Sequence, residues 1–369
     1  MTTTIAKRSL SVLRAILHEP TAPFREQSVI NYLQAFAARL KLNVSFDAAG
    51  NVSLQYRHGR RRAMPKWVFA AHMDHPGFIA ISQNGRTVEA RFAGSVGAEY
   101  FPKARVRFFG RFGQAVGSII DVRQDSPLWL VRVKLDHMVR VDSQSVGMWD
   151  LPAMTVKGQV LSSRACDDLV GCASVLCAMQ EIARRKLDAD VTGFFTRAEE
   201  AGFIGAISAA RSTSLPKDCL LVAIETSLAQ VAAQLGDGVV VRVGDRSRTF
   251  DPALTAHLHR LADGLAKTKR GFKYARQLMP GGTCESTAYA AFGYRAAALC
   301  VPLANYHNRG PQNRIACEQI HLGDFQSLVS LLVACAADKA QPRQTDDLLR
   351  DRLNALLEER GRYLHEDIV

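Results

Sequence analysis

In the second half of the chain, continuous apolar runs of strand length alternate with apolar residues at helical spacing. The runs at 191–196, 219–225 and 295–303 predict buried strands, and those at 168–185, 201–211, 254–269 and 320–339 predict helices. Earlier in the chain, residues 8–45 have helical spacing, with a break at the prolines of "HEPTAPF". "NVSFDAAGNVSLQY" predicts two strands around a glycine turn, and "WVFAAHMDH" predicts a buried strand. The alternation predicts an α/β fold with a doubly wound mixed sheet and helices on both faces.

The stretch from Gly77 to about Ser162 has a different texture. Short β-like segments such as "RVRFFGRFGQAVGSII" and "LWLVRVKL" are separated by Gly, Asp and Pro, and no helical period appears. This pattern predicts a small β-barrel or sandwich inserted into the first domain. We therefore expect a discontinuous catalytic domain over 1–76 and 163–340, an inserted β domain over 77–162, and a C-terminal amphipathic helix within 341–369 that serves packing or oligomer contact.

Histidine and carboxylate residues follow the predicted strands at the points where the strands end. Ligands of open α/β sheets bind at the carboxyl ends of the strands, so these side chains are expected to meet. They are His72 and Asp74 after the strand at 67–71, Glu199 and Glu200 after 191–196, Glu225 at the end of 219–225, and His307 after 295–303; Asp167 and Asp168 precede the helix at 168–185.

Taken singly, each of these residues has a simpler explanation. A histidine after a strand is more often a hydrogen-bonded structural residue, and an aspartate before a helix is usually an N-cap. These explanations fit the whole set poorly, because four strand ends and one helix start all supply His, Asp or Glu. The set indicates a two-metal hydrolase.

In that interpretation, five residues bind two divalent ions. His72, Asp167 and Glu225 hold one ion, Asp167 bridges to the second, and Glu200 and His307 complete it. Three ligand carboxylates, two divalent ions and one bridging hydroxide sum to zero charge, which a buried site tolerates.

The remaining acids of the cluster then have other roles. Glu199, adjacent to a ligand but not itself a ligand, is predicted to act as the general base on the metal-bridged hydroxide nucleophile. Asp74 is predicted to accept a hydrogen bond from the far nitrogen of His72 and so to orient that ring.

Composition narrows the class of protein. The 369 residues include no apolar run of the roughly 20 residues needed to cross a bilayer, so no membrane association is expected. Eight cysteines without a CxxC pair indicate reduced thiols, and the absence of a signal-peptide pattern favours a cytoplasmic protein. The net charge of +12, densest at 57–62 and 267–276, could attract nucleic acid, but no nucleic-acid motif accompanies it, and a solvated basic surface is the preferred interpretation.

Together, these segments resemble the M42 family of metallo-aminopeptidases, the glutamyl and deblocking aminopeptidase group. The resemblance runs from about Leu10 to about Ala337 and is carried by "AHMDHPGF", "RACDDLVGCA", "TRAEEAGFIGA", "AIETS" and "PGGTCESTAYAAFGYRAAALCVPLANYHN". It implies that the five residues named above bind the metal ions, that Glu199 is the general base, and that Asp74 orients His72. It also implies that short peptides are the substrate, that the inserted β domain serves assembly, and that subunits form homo-oligomers from dimers to dodecameric shells.

Several positions depart from the family pattern. His75 stands where the family usually has Glu, and it is expected either to add a ligand or, preferably, to contact solvent. Glu225 stands where Asp is common. The segment that usually reads Gly-Thr-Asp in the family is "GGTCES" here, with Cys284 and Glu285. The substrate preference of the family therefore cannot be transferred to this chain.

The leading hypothesis is an aminopeptidase with two divalent ions per subunit. Zn²⁺ suits the mixed ligand set, and Co²⁺ and Mn²⁺ are accepted by the same residues. The alternative within the hydrolases is a related amide hydrolase, either an N-acyl amino acid deacylase or a specialised dipeptidase. An inactive assembly protein and a nucleic-acid-binding protein are the competing non-enzyme hypotheses.

Overall fold

The computed structural model describes residues 7–59, 65–125, 128–342 and 346–365. Residues 60–62 of the first basic run therefore lie outside the described residues. Eight α-helices are found in the described ranges: α1 (Lys7–His18), α2 (Gln27–Leu40), α3 (Leu169–Arg185), α4 (Ile204–Ser212), α5 (Pro252–Thr268), α6 (Glu285–Ala291), α7 (Leu322–Ala337) and α8 (Asp346–Arg360).

An eight-stranded mixed sheet forms the centre of the molecule. Its strands are β1 (Asn43–Phe46), β2 (Val52–His58), β3 (Lys66–His72), β12 (Ala189–Thr196), β13 (Leu220–Leu228), β14 (Val239–Asp245), β15 (Tyr274–Met279) and β16 (Arg295–Leu303). They are ordered β1-β2-β12-β3-β13-β16-β14-β15. The four inner strands β12, β3, β13 and β16 are parallel to one another, which brings their carboxyl ends to a single edge.

Helices cover both faces of this sheet, and the predicted α/β fold class is confirmed. One face is buried beneath α1, α2, α3, α5 and α7, whose apolar residues join the largest core cluster. The other face packs against α4 and α6 through a smaller cluster that includes Phe194 and Tyr289. Every residue of α3 from Leu169 to Met179 is buried, so this part of the helix lies in the interior.

A closed six-stranded barrel occupies the region between β3 and α3. Its strands, in the order in which they pair, are β4 (Gly77–Asn84), β5 (Thr87–Ala93), β8 (Leu128–Leu135), β7 (Gly113–Asp125), β6 (Arg105–Gly110) and β9 (Val146–Trp149). Alternate residues point inward, as in β8, where Val131, Val133 and Leu135 are buried between exposed neighbours. Of the two predicted β architectures, the barrel is the one observed.

A small antiparallel sheet follows the barrel along the chain. It contains β10 (Thr155–Lys157), β11 (Val160–Ser163) and β17 (Glu318–His321) in that order. Ser163 pairs with Glu318 in its register, so the segment that leads into Asp167 is hydrogen-bonded to the segment that follows His307. Two distant parts of the sequence are thereby held side by side.

The predicted helices and strands of the second half are present to within a few residues, but β14, β15, β17 and α6 were not predicted. "VVVRVGD" in β14 places a buried arginine, Arg242, inside an apolar run, and "YARQLM" in β15 is short and half polar. None of the described helices is long and apolar enough to cross a membrane.

Candidate metal centre

The residues predicted from the strand ends lie together at the carboxyl edge of the four parallel strands. His72 is the last residue of β3, and Glu225 lies within β13. Glu199 and Glu200 follow β12 in a turn, and His307 follows β16 in a short 3-10 segment. His72 and His307 are buried, with 1% and 2% of their surface exposed. The parallel topology therefore produces the cluster from segments that are far apart in sequence.

Asp167 enters this cluster from the loop between β11 and α3. Its neighbour Asp168 is the N-cap of α3 and accepts a hydrogen bond from the backbone N–H of Gly171 at 3.1 Å. The two adjacent aspartates thus differ in role: Asp168 caps the start of the helix, and Asp167 faces the histidines.

The two carboxylate oxygens of Asp167 face two different imidazoles. Oδ1 lies 3.5 Å from Nε2 of His72, and Oδ2 lies 3.6 Å from Nε2 of His307. Beyond them, Glu225 Oε2 lies 3.9 Å from His72 Nε2, and Glu200 Oε1 lies 3.0 Å from His307 Nε2. Three groups of side chains in the described residues are able to surround a cation. Two of them contain Asp167, namely His72, Asp167 and Glu225, and Asp167, Glu200 and His307; the third is His72, Glu199 and Glu200.

Several ligand atoms of this cluster are buried without a hydrogen-bond partner. They are Asp167 Oδ1, Glu200 Oε1, Glu225 Oε1 and His307 Nε2. Buried polar atoms are normally paired, and an unpaired one costs about 1–3 kcal/mol. Carboxylate oxygens and imidazole nitrogens that lie close together without hydrogen bonds can instead bind a divalent cation. The residues present therefore fit a metal.

Asp74 is buried directly beneath the Glu199–Glu200 turn. Its Oδ1 accepts from the backbone N–H of Glu199 at 2.9 Å, and its Oδ2 accepts from that of Glu200 at 3.0 Å. His72 Nδ1 lies 3.6 Å from Asp74 Oδ1 and 3.1 Å from the backbone carbonyl of Asp74. Asp74 therefore contacts His72 and also holds the turn that carries the two glutamates.

In the metal-free protein, the crowded acids and histidines perturb one another. Burial opposes the charged form of His307, but the carboxylates of Glu200 and Asp167 outweigh it and raise the pKa of His307 to about 9. Burial raises the pKa of Glu225 to about 8, and His72 offsets only part of that rise. Burial likewise raises the pKa of Glu199 well above its usual value. Such shifts mark a group of ligands that holds protons when no cation neutralises it.

A cavity of about 90 Å³ opens beside the cluster. Its acidic lining residues are Asp167, Glu199 and Glu225, all members of the cluster. The rest of its lining includes Ser227, Gln230, Arg242, Thr283 and Arg309. The wall of the cavity thus contains three carboxylates of the cluster and two guanidinium groups.

The structure corrects one expectation about this region. His75 was expected to be a ligand or to contact solvent, but it is fully buried, with its ring bonded to the backbone carbonyl of Asp167 and to Asn308. Glu285 is also buried, and it does not line the cavity, although its neighbour Cys284 does.

Sequence reasoning missed Arg242 and Glu318. Arg242 lies in a strand that was not predicted, and a charged residue flanked by Val241 and Val243 was the available signal. Glu318 is a lone acid in "IACEQIH", and nothing in its local sequence distinguishes it from a surface residue.

The fold is that of the TET aminopeptidases. The TET aminopeptidase of Thaumarchaeota archaeon SCGC AB-539-E09 superposes with a TM-score of 0.75 at 17% identity, covering 89% of this chain and 96% of that one. The TET1 peptidase of Pyrococcus horikoshii, which assembles into a tetrahedron or a large octahedral shell, has a TM-score of 0.72 at 20% identity, covering 89% and 99%.

Sequence comparison identifies the family. The M42 glutamyl aminopeptidase family matches residues 135–331, more than half of the chain, so the chain belongs to that family and is a hydrolase acting on peptides. A protein of Acetivibrio thermocellus, provisionally named an aminopeptidase, is 23% identical over 308 residues, which cover 79% of this chain and 87% of the relative. The resemblance stated from the motifs is confirmed.

Proposed function

We propose that this protein is a dinuclear metal-dependent aminopeptidase that removes N-terminal residues from short peptides. The observation that carries the proposal is the placement of Asp167, whose two oxygens face His72 and His307 at 3.5 and 3.6 Å. A carboxylate presented to two imidazoles in this way is what a bridging ligand between two cations requires.

The assignment of ligands follows from the two groups that share Asp167. His72, Asp167 and Glu225 would hold one ion, and Asp167, Glu200 and His307 the other. Mixed imidazole and carboxylate ligands suit Zn²⁺, and Co²⁺ and Mn²⁺ bind the same set. When bound, such a pair of cations lowers the pKa of a water molecule and polarises a substrate carbonyl.

Glu199 is the proposed general base. It lines the cavity, its side chain is 11% exposed, and its Oε2 lies 3.9 Å from His72 Nε2. Its carboxylate can therefore take a proton from the attacking water and deliver that proton to the leaving amine. A general base in this position contributes about 10²–10⁴-fold to the rate.

Asp74 is a positioning residue in this proposal. Its carboxylate accepts from both N–H groups of the Glu199–Glu200 turn, so the base and a neighbouring ligand move together. Glu26 supports the same turn from outside, because Oε1 accepts from the N–H of Ala198 at 3.1 Å and Oε2 pairs with Arg197 at 2.8 Å.

The cavity favours an acidic side chain on the residue that is removed. Apart from the proposed metal ligands and base, its lining contains no acid and includes Arg242 and Arg309. Arg242 is 3% exposed, donates to Ser227 Oγ at 3.2 Å and leaves its Nε without a partner. A buried guanidinium with a free donor suits a carboxylate, so glutamyl or aspartyl peptides are the proposed substrates.

Assembly into a homo-oligomer, between a dimer and a dodecamer, is part of the proposal. The TET1 peptidase of Pyrococcus horikoshii forms closed shells, and this chain has the same fold over 89% of its length. Sedimentation of the purified protein measures the subunit number directly.

Substrates with free and blocked N-termini test the function. The aminopeptidase proposal expects cleavage of glutamyl and aspartyl anilides, loss of that cleavage on chelation, and its return with added Zn²⁺, Co²⁺ or Mn²⁺. N-acetylated amino acids are the matched substrates. Faster hydrolysis of the acetylated compounds would favour the deacylase alternative, and activity that survives complete metal removal would contradict both.

A further inference from the structure

Behind the proposed ligands lies a second group of buried polar residues that the reaction does not use directly. His75, Asn308 and Glu318 are all fully buried, and none of them faces the cavity. Burying such groups is unfavourable unless each is hydrogen-bonded, so their partners indicate what they do.

Glu318 joins the backbones of two proposed ligands. Its Oε2 accepts from the N–H of Cys166 at 2.7 Å and from that of Asp167 at 3.0 Å, and its Oε1 accepts from the N–H of His307 at 2.8 Å. One carboxylate therefore sets the distance between the chain segment of the bridging ligand and the segment of a ligand to the second ion.

His75 makes the same connection from the other side. Its Nδ1 contacts the backbone carbonyl of Asp167, and its Nε2 contacts Oδ1 of Asn308 at 2.9 Å. Asn308 uses its Nδ2 to donate to the carbonyl of Ala316 at 3.1 Å, which fixes the direction of its amide. Both ring nitrogens of His75 therefore face oxygen acceptors, one on the Asp167 segment and one on the His307 segment.

The segment held in this way has an unfavourable backbone conformation. Asn305, His307 and Asn308 have φ values of 55°, 55° and 60°, in the left-handed region that residues other than glycine seldom adopt. Such a conformation persists only where surrounding contacts enforce it. Glu318 bonds the N–H of His307, and His75 bonds the side chain of Asn308, so these two residues are among the contacts that enforce it.

We propose that His75, Asn308 and Glu318 form a buried clamp that fixes the Asp167 and His307 segments at the separation needed by the second ion, the one assigned to Asp167, Glu200 and His307. The three are positioning residues, and the inference rests on the proposed dinuclear site. Groups that orient metal ligands in this way typically contribute 10–100-fold to metal affinity.

Metal titration of the purified full chain tests the clamp. Glu318→Gln replaces one acceptor oxygen by a donor that faces backbone N–H groups, and Asn308→Leu removes the acceptor for His75. The probe is Zn²⁺ added to chelator-treated protein in a calorimeter, with the Co²⁺ absorption spectrum as a second readout. We expect one of two binding events to weaken by about 10–100-fold, with little change in the other, and kcat to recover when Zn²⁺ is raised to saturation.

His257→Gln is the matched control. His257 is also buried and paired with an acid, Asp338 at 3.3 Å, but it packs on Trp67 near the start of β3, whereas His72 ends that strand. The control is expected to lose thermal stability and keep both metal affinities.

The outcomes separate the two proposals. Wild-type protein that binds fewer than two ions per subunit would overturn the dinuclear site itself. Two ions in wild type, with affinities and Co²⁺ spectrum unchanged in both variants, would overturn the clamp and leave the dinuclear site standing. If Glu318→Gln fails to fold, His75→Gln and Asn308→Asp enter the same titration, and unchanged second-ion affinity in them would also overturn the clamp.

Discussion

The interior of the barrel and the carboxyl edge of the sheet are both buried, yet the side chains that fill them differ in polarity. Among the described residues, none of the buried polar or charged side chains falls within the barrel strands between Gly77 and Trp149. The barrel is instead filled by aromatic and aliphatic groups, with Phe78, Phe92 and Trp149 in mutual contact at ring-centroid distances of 4.8–5.5 Å.

At the sheet edge, by contrast, buried acids and histidines crowd together, and several of their atoms have no hydrogen-bond partner. An apolar core lowers the free energy of the folded chain without help, whereas a cluster of buried charges raises it until a ligand compensates. The residues that stabilise the barrel and the residues proposed to bind metal therefore lie in separate parts of this molecule. We expect a substitution in one part to leave the other part unaffected.

The largest expected effect lies at the sheet edge. Glu199→Gln removes the proposed base and keeps its shape, so kcat should fall by about a hundredfold or more while two metal ions stay bound. Folding stability should be unchanged or slightly raised, because an acid that is unfavourable to bury in its charged form is replaced by a neutral amide. Steady-state kinetics and metal analysis on the same sample check this, and Glu181→Gln on α3, whose acid pairs with Arg184, is the control. Unchanged turnover would rule out the base assignment.

The next effect concerns the barrel. Phe92→Ala empties a fully buried position, and truncations of this kind cost about 3–5 kcal/mol of unfolding free energy. Metal content and kcat at a temperature where the protein stays folded should be close to those of wild type. Denaturant unfolding measures the loss, and Phe112→Ala, which is 47% exposed, is the control. If Phe92→Ala instead released the metals, the separation of stability and chemistry would be wrong.

A pH effect is expected in the metal-free protein. His307, with its pKa raised to about 9, contributes stability that is fully present below its unfolded pKa near 6.5 and is lost as pH rises through 9. Glu225, raised to about 8, acts in the same direction, since the folded state holds its proton at a pH where the unfolded state has released it. Metal-free protein should therefore lose several kcal/mol of stability between about pH 6 and about pH 9, because one pKa unit corresponds to about 1.4 kcal/mol.

Saturating Zn²⁺ should remove or reverse this trend, because the cation replaces the protons that the ligands hold. Thermal melts across this pH range, with and without metal, make the comparison. Metal-free stability that rises with pH would contradict the assignment of proton-holding ligands.

The smallest expected effect concerns specificity. Arg242→Met should lower kcat/KM for a glutamyl anilide relative to a leucyl anilide by about tenfold, equivalent to about 1.4 kcal/mol. Metal content should not change. Arg260→Met, on α5 and paired with Asp338, removes a guanidinium elsewhere and is the control. An unaltered preference would show that Arg242 supports the cavity without recognising substrate.

Much of the fold was accessible from sequence because its signals are local. The helix at Leu169–Arg185 has an aspartate N-cap and a continuous apolar period, and the strand at Arg295–Leu303 is an unbroken apolar run. The strand at Val239–Asp245 was missed because Arg242 interrupts its apolar pattern, and the pairing of β11 with β17 has no local signal at all.

The candidate site shows the same division. His72, Glu199, Glu200, Glu225 and His307 could be proposed because each follows a recognisable strand, and the carboxyl ends of parallel strands converge. The burial of His75 could not be inferred, because its partners, the Asp167 carbonyl and Asn308, come from distant segments.

By itself, the sequence determined most of the segments that form helices and strands, and which acids and imidazoles lie at their ends, because both depend on the order of neighbouring residues. Only the tertiary structure decided that Asp167 presents its two oxygens to two histidines, that Glu318 ties the backbones of Asp167 and His307, and that Arg242 reaches the cavity. These are distances between segments far apart along the chain, and they follow from strand order and register, which the local pattern of residues does not specify.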